Sequence, residues 1–166
     1  MQLDRTDLSA ERLFGEIAQA MQPILARYSV TLQTAHTGAV LHVDRELFQA
    51  LFYNMIENAA KASPAGSVIR LEQTVSDGHT VLSVTDEGIG MKPDTLRRAT
   101  EAFYMEDKAR TRKAGGAGLG LALCDTICRR HGARLEIESE LHKGTTVRVR
   151  MDAAPAEITD RKGAAQ

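Results

Sequence analysis

The sequence predicts an α/β (α+β) two-layer sandwich, in which a mixed, largely antiparallel sheet carries its helices on one face. Three observations predict it. Segments with helical apolar spacing alternate along the chain with pairs of strand-like runs. The runs within each pair are separated by short turns that contain glycine, and tight turns join strands antiparallel. At 166 residues the chain has one domain's length, enough to bury one core between two layers.

The opening helix is expected over residues 8–27. Ser9 can cap it, and Leu13, Ile17, Met21, Ile24 and Leu25 recur at helical spacing. Residues 29–34 alternate as a strand, and a short strand over 40–43 follows the turn signal at Gly38. Asp44 stands where the next helix needs its N-cap. That helix, 45–62, is the strongest periodic segment, and it stops at Ser63-Pro64-Ala65-Gly66. Strands 67–75 and 80–86 flank the hairpin turn Asp77-Gly78. A helix from Pro93 to about Phe103 leads into residues 104–117, which are polar, charged and glycine-ended, the pattern of a long loop. A helix over 118–131 closes at His131-Gly132, and strands 134–138 and 145–151 form a last hairpin about Gly144. The domain is therefore residues 1–151. Residues 152–166, rich in alanine and without periodicity, read as a disordered tail.

Composition excludes several functions. Lys+Arg is 21 against 22 Asp+Glu, so no whole-domain basic field is present for nucleic acid or an anionic membrane surface. No window approaches about 18 consecutive apolar residues, the length of a membrane span. The opening Met1-Gln2-Leu3-Asp4-Arg5 lacks a signal peptide's plan. Cys124 and Cys128, the two cysteines, are too few for a disulfide scaffold and read as buried free thiols. A cytoplasmic placement follows.

Four constellations carry chemistry. On the helix 45–62, at roughly 100° per residue, Phe48, Leu51, Phe52, Met55, Ile56 and Ala59 form one apolar face. Asn54, Asn58 and Lys61 fall within about 60° of one another at its edge, with Glu57 further round. Two carboxamides and an ammonium there could hold Mg²⁺ and phosphate oxygens, since a hard cation takes oxygen ligands. The same pattern suits core hydrogen bonds and a solvated lysine. At a strand end, Asp86-Glu87-Gly88-Ile89-Gly90 offers a carboxylate for a purine's amino group and glycines that let a flat ligand approach, or a plain turn. Gly115-Gly116-Ala117-Gly118-Leu119-Gly120-Leu121 opens a helix, where free N–H groups favour an anion, or a hinge. Its spacing is neither a P-loop nor a dinucleotide fingerprint. Lys108, Arg110, Arg112 and Lys113 precede it, either a solvated run or cations for a polyphosphate. Gly144-Thr145-Thr146 leads the last strand.

Together, in order, these segments resemble the catalytic and ATP-binding domain of bacterial sensor histidine kinases, within the superfamily that also holds DNA gyrase, the heat-shock chaperone ATPases and the mismatch-repair ATPases. Asn54-Met55-Ile56-Glu57-Asn58-Ala59-Ala60-Lys61-Ala62-Ser63 is similar to the family's N box, and Asp86-Glu87-Gly88-Ile89-Gly90 to its G1 box. Phe103-Tyr104 resembles the F box, Gly116-Ala117-Gly118-Leu119-Gly120-Leu121 the G2 box, and Lys143-Gly144-Thr145-Thr146 the final glycine-threonine element. The likeness covers roughly residues 5–151 and implies a Bergerat-type ATP-binding fold.

The resemblance implies roles. Asn58 ligates Mg²⁺, with Asn54 beside it and Lys61 reaching phosphate. Asp86 bonds the adenine amino group, Gly88 and Gly90 give the base room, Ile89 between them is among the binding residues, and Thr145 lies near the adenine. Gly116, Gly118 and Gly120 let a lid, about 91–117, pass over the phosphates, with Phe103 anchoring it, and Tyr104, Leu119 and Leu121 join the residues implied to bind the nucleotide. Met105 replaces the basic residue that often follows this Phe-Tyr, a contact that Lys108 or Arg110 can supply. Asn54 stands where hydrolytic members carry a glutamate, and an amide cannot act as a general base, which favours holding ATP for transfer.

The implied reaction moves the γ-phosphoryl group to a histidine on a helical-hairpin phosphoacceptor and dimerisation domain, and from there to a response regulator. None of His36, His42, His79, His131 and His142 has the acceptor's setting. A fragment cut at a domain boundary is the simpler expectation, monomeric by itself. A serine kinase of the anti-sigma type is disfavoured by Lys61, where those proteins often carry histidine. A nucleotide-sensing module with degenerate catalysis is the alternative that Met105 and the missing acceptor motivate.

Overall fold

The computed structural model describes residues 2–101 and 120–152. The expected loop 104–117, with Phe103, Tyr104, Lys108, Arg110, Gly116, Gly118 and Leu119, and the expected tail from 153 lie outside them.

The described residues form the expected two layers. One layer is a five-stranded sheet in the order β2-β4-β5-β7-β6, made of Thr31–Ala35 (β2), Val68–Ser76 (β4), His79–Asp86 (β5), Gly144–Asp152 (β7) and Arg134–Glu140 (β6). β2 runs parallel to β4, and every other pairing in the sheet is antiparallel. The other layer holds the helices Ala10–Ala20 (α1), Gln22–Arg27 (α2), Arg45–Ala62 (α3) and Gly120–Arg130 (α5). A short helix, Pro93–Arg97 (α4), follows β5.

α3 is the centre of the core. Asp44 Oδ1 accepts from the Leu47 N–H at 3.2 Å and caps it. All six residues of its expected apolar face are buried, against Ile69, Leu71, Leu82, Val84 and Val149 of the sheet. Leu13, Phe14 and Ile17 of α1 and Cys124, Ile127 and Cys128 of α5 close the core on either side. The opposite sheet face is polar: Arg148 pairs with Glu138 at 2.9 Å, and the Thr146 hydroxyl donates to that of Thr85.

Several elements depart from expectation. The opening helix begins at Ala10, with Ser9 as its cap, and divides at Met21. Pro23 has no N–H and its ring crowds the preceding turn, so it starts a new helix rather than continuing one. Arg5–Ser9 is a strand (β1), paired antiparallel with Val40–Asp44 (β3) as a separate two-stranded ladder. The runs 29–34 and 40–43 are therefore not a hairpin pair. Buried Gln73 of β4 holds their connection: its Oε1 accepts from the Thr37 N–H at 2.9 Å and the Thr37 hydroxyl at 3.0 Å. Ala39 O accepts from the Ala10 N–H at 2.8 Å, which leads β3 into the helical layer. The helix at Pro93 ends at Arg97, where Arg98, Ala99 and Glu101 donate to carbonyls three residues back and tighten the last turn. β7 runs one residue past the expected boundary, since Asp152 pairs with His79.

Candidate functional site

α3 and α5 run antiparallel, and their two ends differ. At the start of α3, His131, just past α5, is 5% exposed and packs edge-on against Phe48. Its Nε2 accepts from the Asp44 N–H at 3.0 Å, so Nδ1 carries the proton and donates to Ile127 O at 2.8 Å. Burial pushes the imidazole pKa below its ordinary value. Burial also works against the Asp44 carboxylate, but backbone N–H groups, those of Asp4 and Leu47 foremost, outweigh it and lower that pKa.

At the other end of α3 the expected site residues collect. Gly120, the first described residue of α5, faces both asparagines: a Cβ on it would lie 3.2 Å from Asn58 Nδ2 and 3.9 Å from Asn54 Oδ1. Asn54 Nδ2 donates to Ala50 O at 2.8 Å, which ties the amide nitrogen back to the helix and leaves the oxygen on the side of Gly120. Asn58 is exposed, and Leu121 is half-buried. The Lys61 ammonium lies 3.3 Å from Glu57, one turn back.

The last carbonyl of α3 meets the segment after β5. Ala62 O accepts from the Ile89 N–H at 3.0 Å, and a Cβ on Gly88 would lie 2.4 Å from that oxygen. Gly90, at φ +69°, presses on the β6–β7 turn, where a Cβ would lie 2.0 Å from Glu140 O. His142 N–H donates to Ile89 O across the same contact. Close backbone packing thus requires these two glycines whatever ligand is present, a reason the linear sequence does not reveal. The Ile89 side chain is 41% exposed.

Asp86 ends β5 with 7% exposure. Its Oδ1 accepts from the Gly88 N–H at 2.8 Å. Burial raises its pKa, and the backbone N–H groups of Gly88 and Thr145 offset this only in part. Asp86 is the direct cross-strand partner of Thr145, which is the partner of Ser139, so the three share the helix-facing side of the sheet. Ser139 was not expected. Its only signal in the sequence is its place opposite Thr145 in the last hairpin. Among the described residues, no cluster of His, Cys, Asp or Glu could hold a metal, and no helix is long and apolar enough to cross a membrane.

Residues 43–155 match the family model described as histidine kinase-, DNA gyrase B- and HSP90-like ATPase. The chain is 35% identical over 159 residues to the phosphate regulon sensor protein PhoR of Pseudomonas aeruginosa, covering 95% of this chain and 35% of that protein. It is 32% identical to the sensor histidine kinase WalK of Bacillus subtilis, covering 87% of this chain and 25% of that one. The chain thus spans about a quarter to a third of the length of these two curated relatives. Among solved structures, full-length ShkA in complex with AMPPNP superposes with a TM-score of 0.77 at 25% identity, covering 93% of this chain and 32% of that one. The nucleotide-free catalytic domain of histidine kinase ThkA gives 0.78 at 16% identity, covering 93% of this chain and 99% of that domain, which bears on the fold alone.

Proposed function

The chain belongs to the histidine kinase-, DNA gyrase B- and HSP90-like ATPase family, and from that membership we propose that it holds ATP with Mg²⁺ and passes the γ-phosphoryl group to a histidine on a separate helical-hairpin domain. The observation that carries this is Asp86: a buried carboxylate at a strand end, with two backbone N–H groups for partners and its pKa raised by burial. Such an acceptor is completed by a ligand that donates, and the exocyclic amino group of adenine does so. Thr145 stands next to it on the same side of the sheet.

The carboxamides fit a hard cation, because Asn54 has its nitrogen tied back and its oxygen turned away from that tie. Asn58 would hold Mg²⁺ with Asn54 beside it, and the ion would neutralise charge on the phosphates. Lys61 reaches phosphate by leaving Glu57, a half-exposed surface pair that contributes little. Gly120 keeps the start of α5 close to the asparagines, and with Gly116 and Gly118 it lets the preceding segment pass over the phosphates. On the family's pattern Phe103 would anchor that segment, and Lys108 or Arg110 would supply the charge that Met105 lacks. In the transfer the acceptor imidazole nitrogen bonds to the γ-phosphorus, the bond to the bridging oxygen breaks, and ADP leaves. This chain contributes position and charge complementarity rather than a base, since Asn54 cannot take a proton.

On this reading the domain acts on the cytoplasmic side, where ATP is, and the phosphohistidine then serves a response regulator. The test is calorimetric titration with ATP, with and without Mg²⁺, beside Asp86→Asn. Mg²⁺-dependent binding that weakens about a hundredfold in the variant is expected, as for a lost hydrogen bond to a charged group. A folded wild-type chain that binds no ATP overturns the reading. Phosphoserine rather than phosphohistidine on a supplied partner overturns the choice of acceptor.

A further inference from the structure

We propose that Glu57 is a positioning residue of the phosphate site: it holds the Lys61 ammonium in the ligand-free domain and so competes with the nucleotide for that ammonium, which loosens the site's hold on the phosphates. This rests on the reading of Lys61 as a group that reaches phosphate.

Helical spacing gives Lys61 two neighbours on α3. Asn58 lies three residues back and Glu57 four, and both spacings bring side chains together on a helix surface. At roughly 100° per residue, Lys61 stands between them, about 40° round from Glu57 and about 60° from Asn58 on the other flank. The ammonium lies on the Glu57 flank, 3.3 Å from Oε1. The acid precedes the base by four residues, the favourable orientation of such a pair. Lys61 is in the last turn of the helix, where a cation suits the macrodipole and a carboxylate does not. The lysine side chain keeps 23% of its surface in water and the glutamate 41%, so the carboxylate is the partner that water can solvate when the pair parts.

Phosphates held beside Asn58 reach Lys61 from its other flank. One ammonium carries one charge and cannot neutralise both anions, so the bound state replaces an internal pair with an external one. Glu57 touches no nucleotide in this account; it acts by setting where the ammonium rests. Because the pair is partly exposed, the competition is mild, and it tunes the affinity rather than blocking the site. It also favours release, since Glu57 takes the ammonium back as the phosphates leave.

A double-mutant cycle tests this. The 166-residue chain and its Glu57→Gln, Lys61→Met and double variants are titrated with ATP and Mg²⁺ at about 0.15 M salt, which screens the direct field of an exposed carboxylate beyond about 8 Å. Glu57→Gln is expected to bind ATP about two- to threefold more tightly than wild type, the size of a partly exposed pair. In the Lys61→Met background the gain should vanish, leaving the double variant no tighter than Lys61→Met alone. A merely structural role of Glu57 in α3 would move the denaturant midpoint and leave the affinity where it was, and an affinity of Glu57→Gln equal to or below that of wild type overturns the proposal. So does a gain that persists without Lys61, which would belong to the field of the carboxylate itself. If the Lys61 variants bind too weakly to compare, the rates for wild type and Glu57→Gln decide. Slower dissociation is the expected result, because Lys61 turns after the phosphates arrive, and a gain carried by faster association overturns the proposal. A wild-type chain that binds no ATP fails the reading of the site itself, whereas ATP binding that Glu57→Gln does not tighten fails only the role of Glu57.

Discussion

Asp44 and Asp86 are both carboxylates at element ends beside α3, yet they sit in opposite electrostatic states. Asp44 caps the helix, accepts from several N–H groups, and has its pKa lowered. Asp86 is buried with fewer donors, and its pKa is raised. The neighbouring groups follow suit. At the Asp44 end both ring nitrogens of His131 are bonded. At the Asp86 end Asn58 is exposed and Asn54 turns its oxygen away from the bond its nitrogen makes. One end of the helix pair holds the fold together. The other carries unfavourable electrostatics that a ligand can relieve, and a binding site is built of such groups.

If that contrast is right, variants at the two ends should move different quantities. The largest stability effect is expected from His131→Leu, which removes the acceptor of the Asp44 N–H and the edge-on contact with Phe48. It should cost about 2–4 kcal/mol in denaturant unfolding while leaving the nucleotide affinity of the folded fraction unchanged. A large change in affinity would mean that the two ends are coupled.

Asp86→Asn should do the reverse. Its folded pKa is raised, so the ionised form is disfavoured in the native state, and stability from this group falls as pH rises through the ordinary value of 3.8 toward the higher folded one. The neutral variant lacks that loss. At pH 7 the ligand-free variant should unfold at a denaturant concentration equal to or above that of wild type, and the two curves should converge in acid. A clearly less stable variant would show that Asp86 serves the fold.

The smallest effect concerns acid sensitivity. Because the His131 pKa is depressed by burial and by Arg5, the unfolded chain binds the extra proton more readily. Stability from this group is complete above the ordinary value of 6.5 and is lost as pH falls from there toward the folded pKa. His131→Leu should flatten that part of the stability profile, and a profile that keeps its slope would assign it to other histidines.

What the linear sequence shows and hides follows from the range of the interactions. α3, its Asp44 cap and its apolar face are legible because they repeat every turn. The hairpin at Asp77-Gly78 is legible from its turn chemistry. β1 is not, because Leu8 is its one buried side chain and its partner lies on β3, beyond α1 and α2. Nor is the parallel union of β2 with β4, because α3 intervenes and a short amphipathic strand does not specify its neighbour. In the site, Asp86, Asn54, Asn58 and Gly120 stand out by type and spacing. The pairing of Lys61 with Glu57 follows from helical spacing, but the sequence does not say which of two partners the ammonium takes. Ser139 is hidden because a serine in a strand is ordinary until register sets it beside Thr145.

The separate ladder of β1 and β3 has a kinetic meaning. It shares no backbone rung with the five-stranded sheet. It is joined to the rest by side-chain packing and by a few bonds, such as Ala10 N–H to Ala39 O and the Arg5 guanidinium to Arg130 O. Fraying of its outer rungs at residues 5–7, whose side chains are exposed, leaves the main sheet and the core intact, so those amides exchange with solvent more readily than the rest, whereas Leu8, Leu41 and Val43 are core residues whose rungs open only with the core.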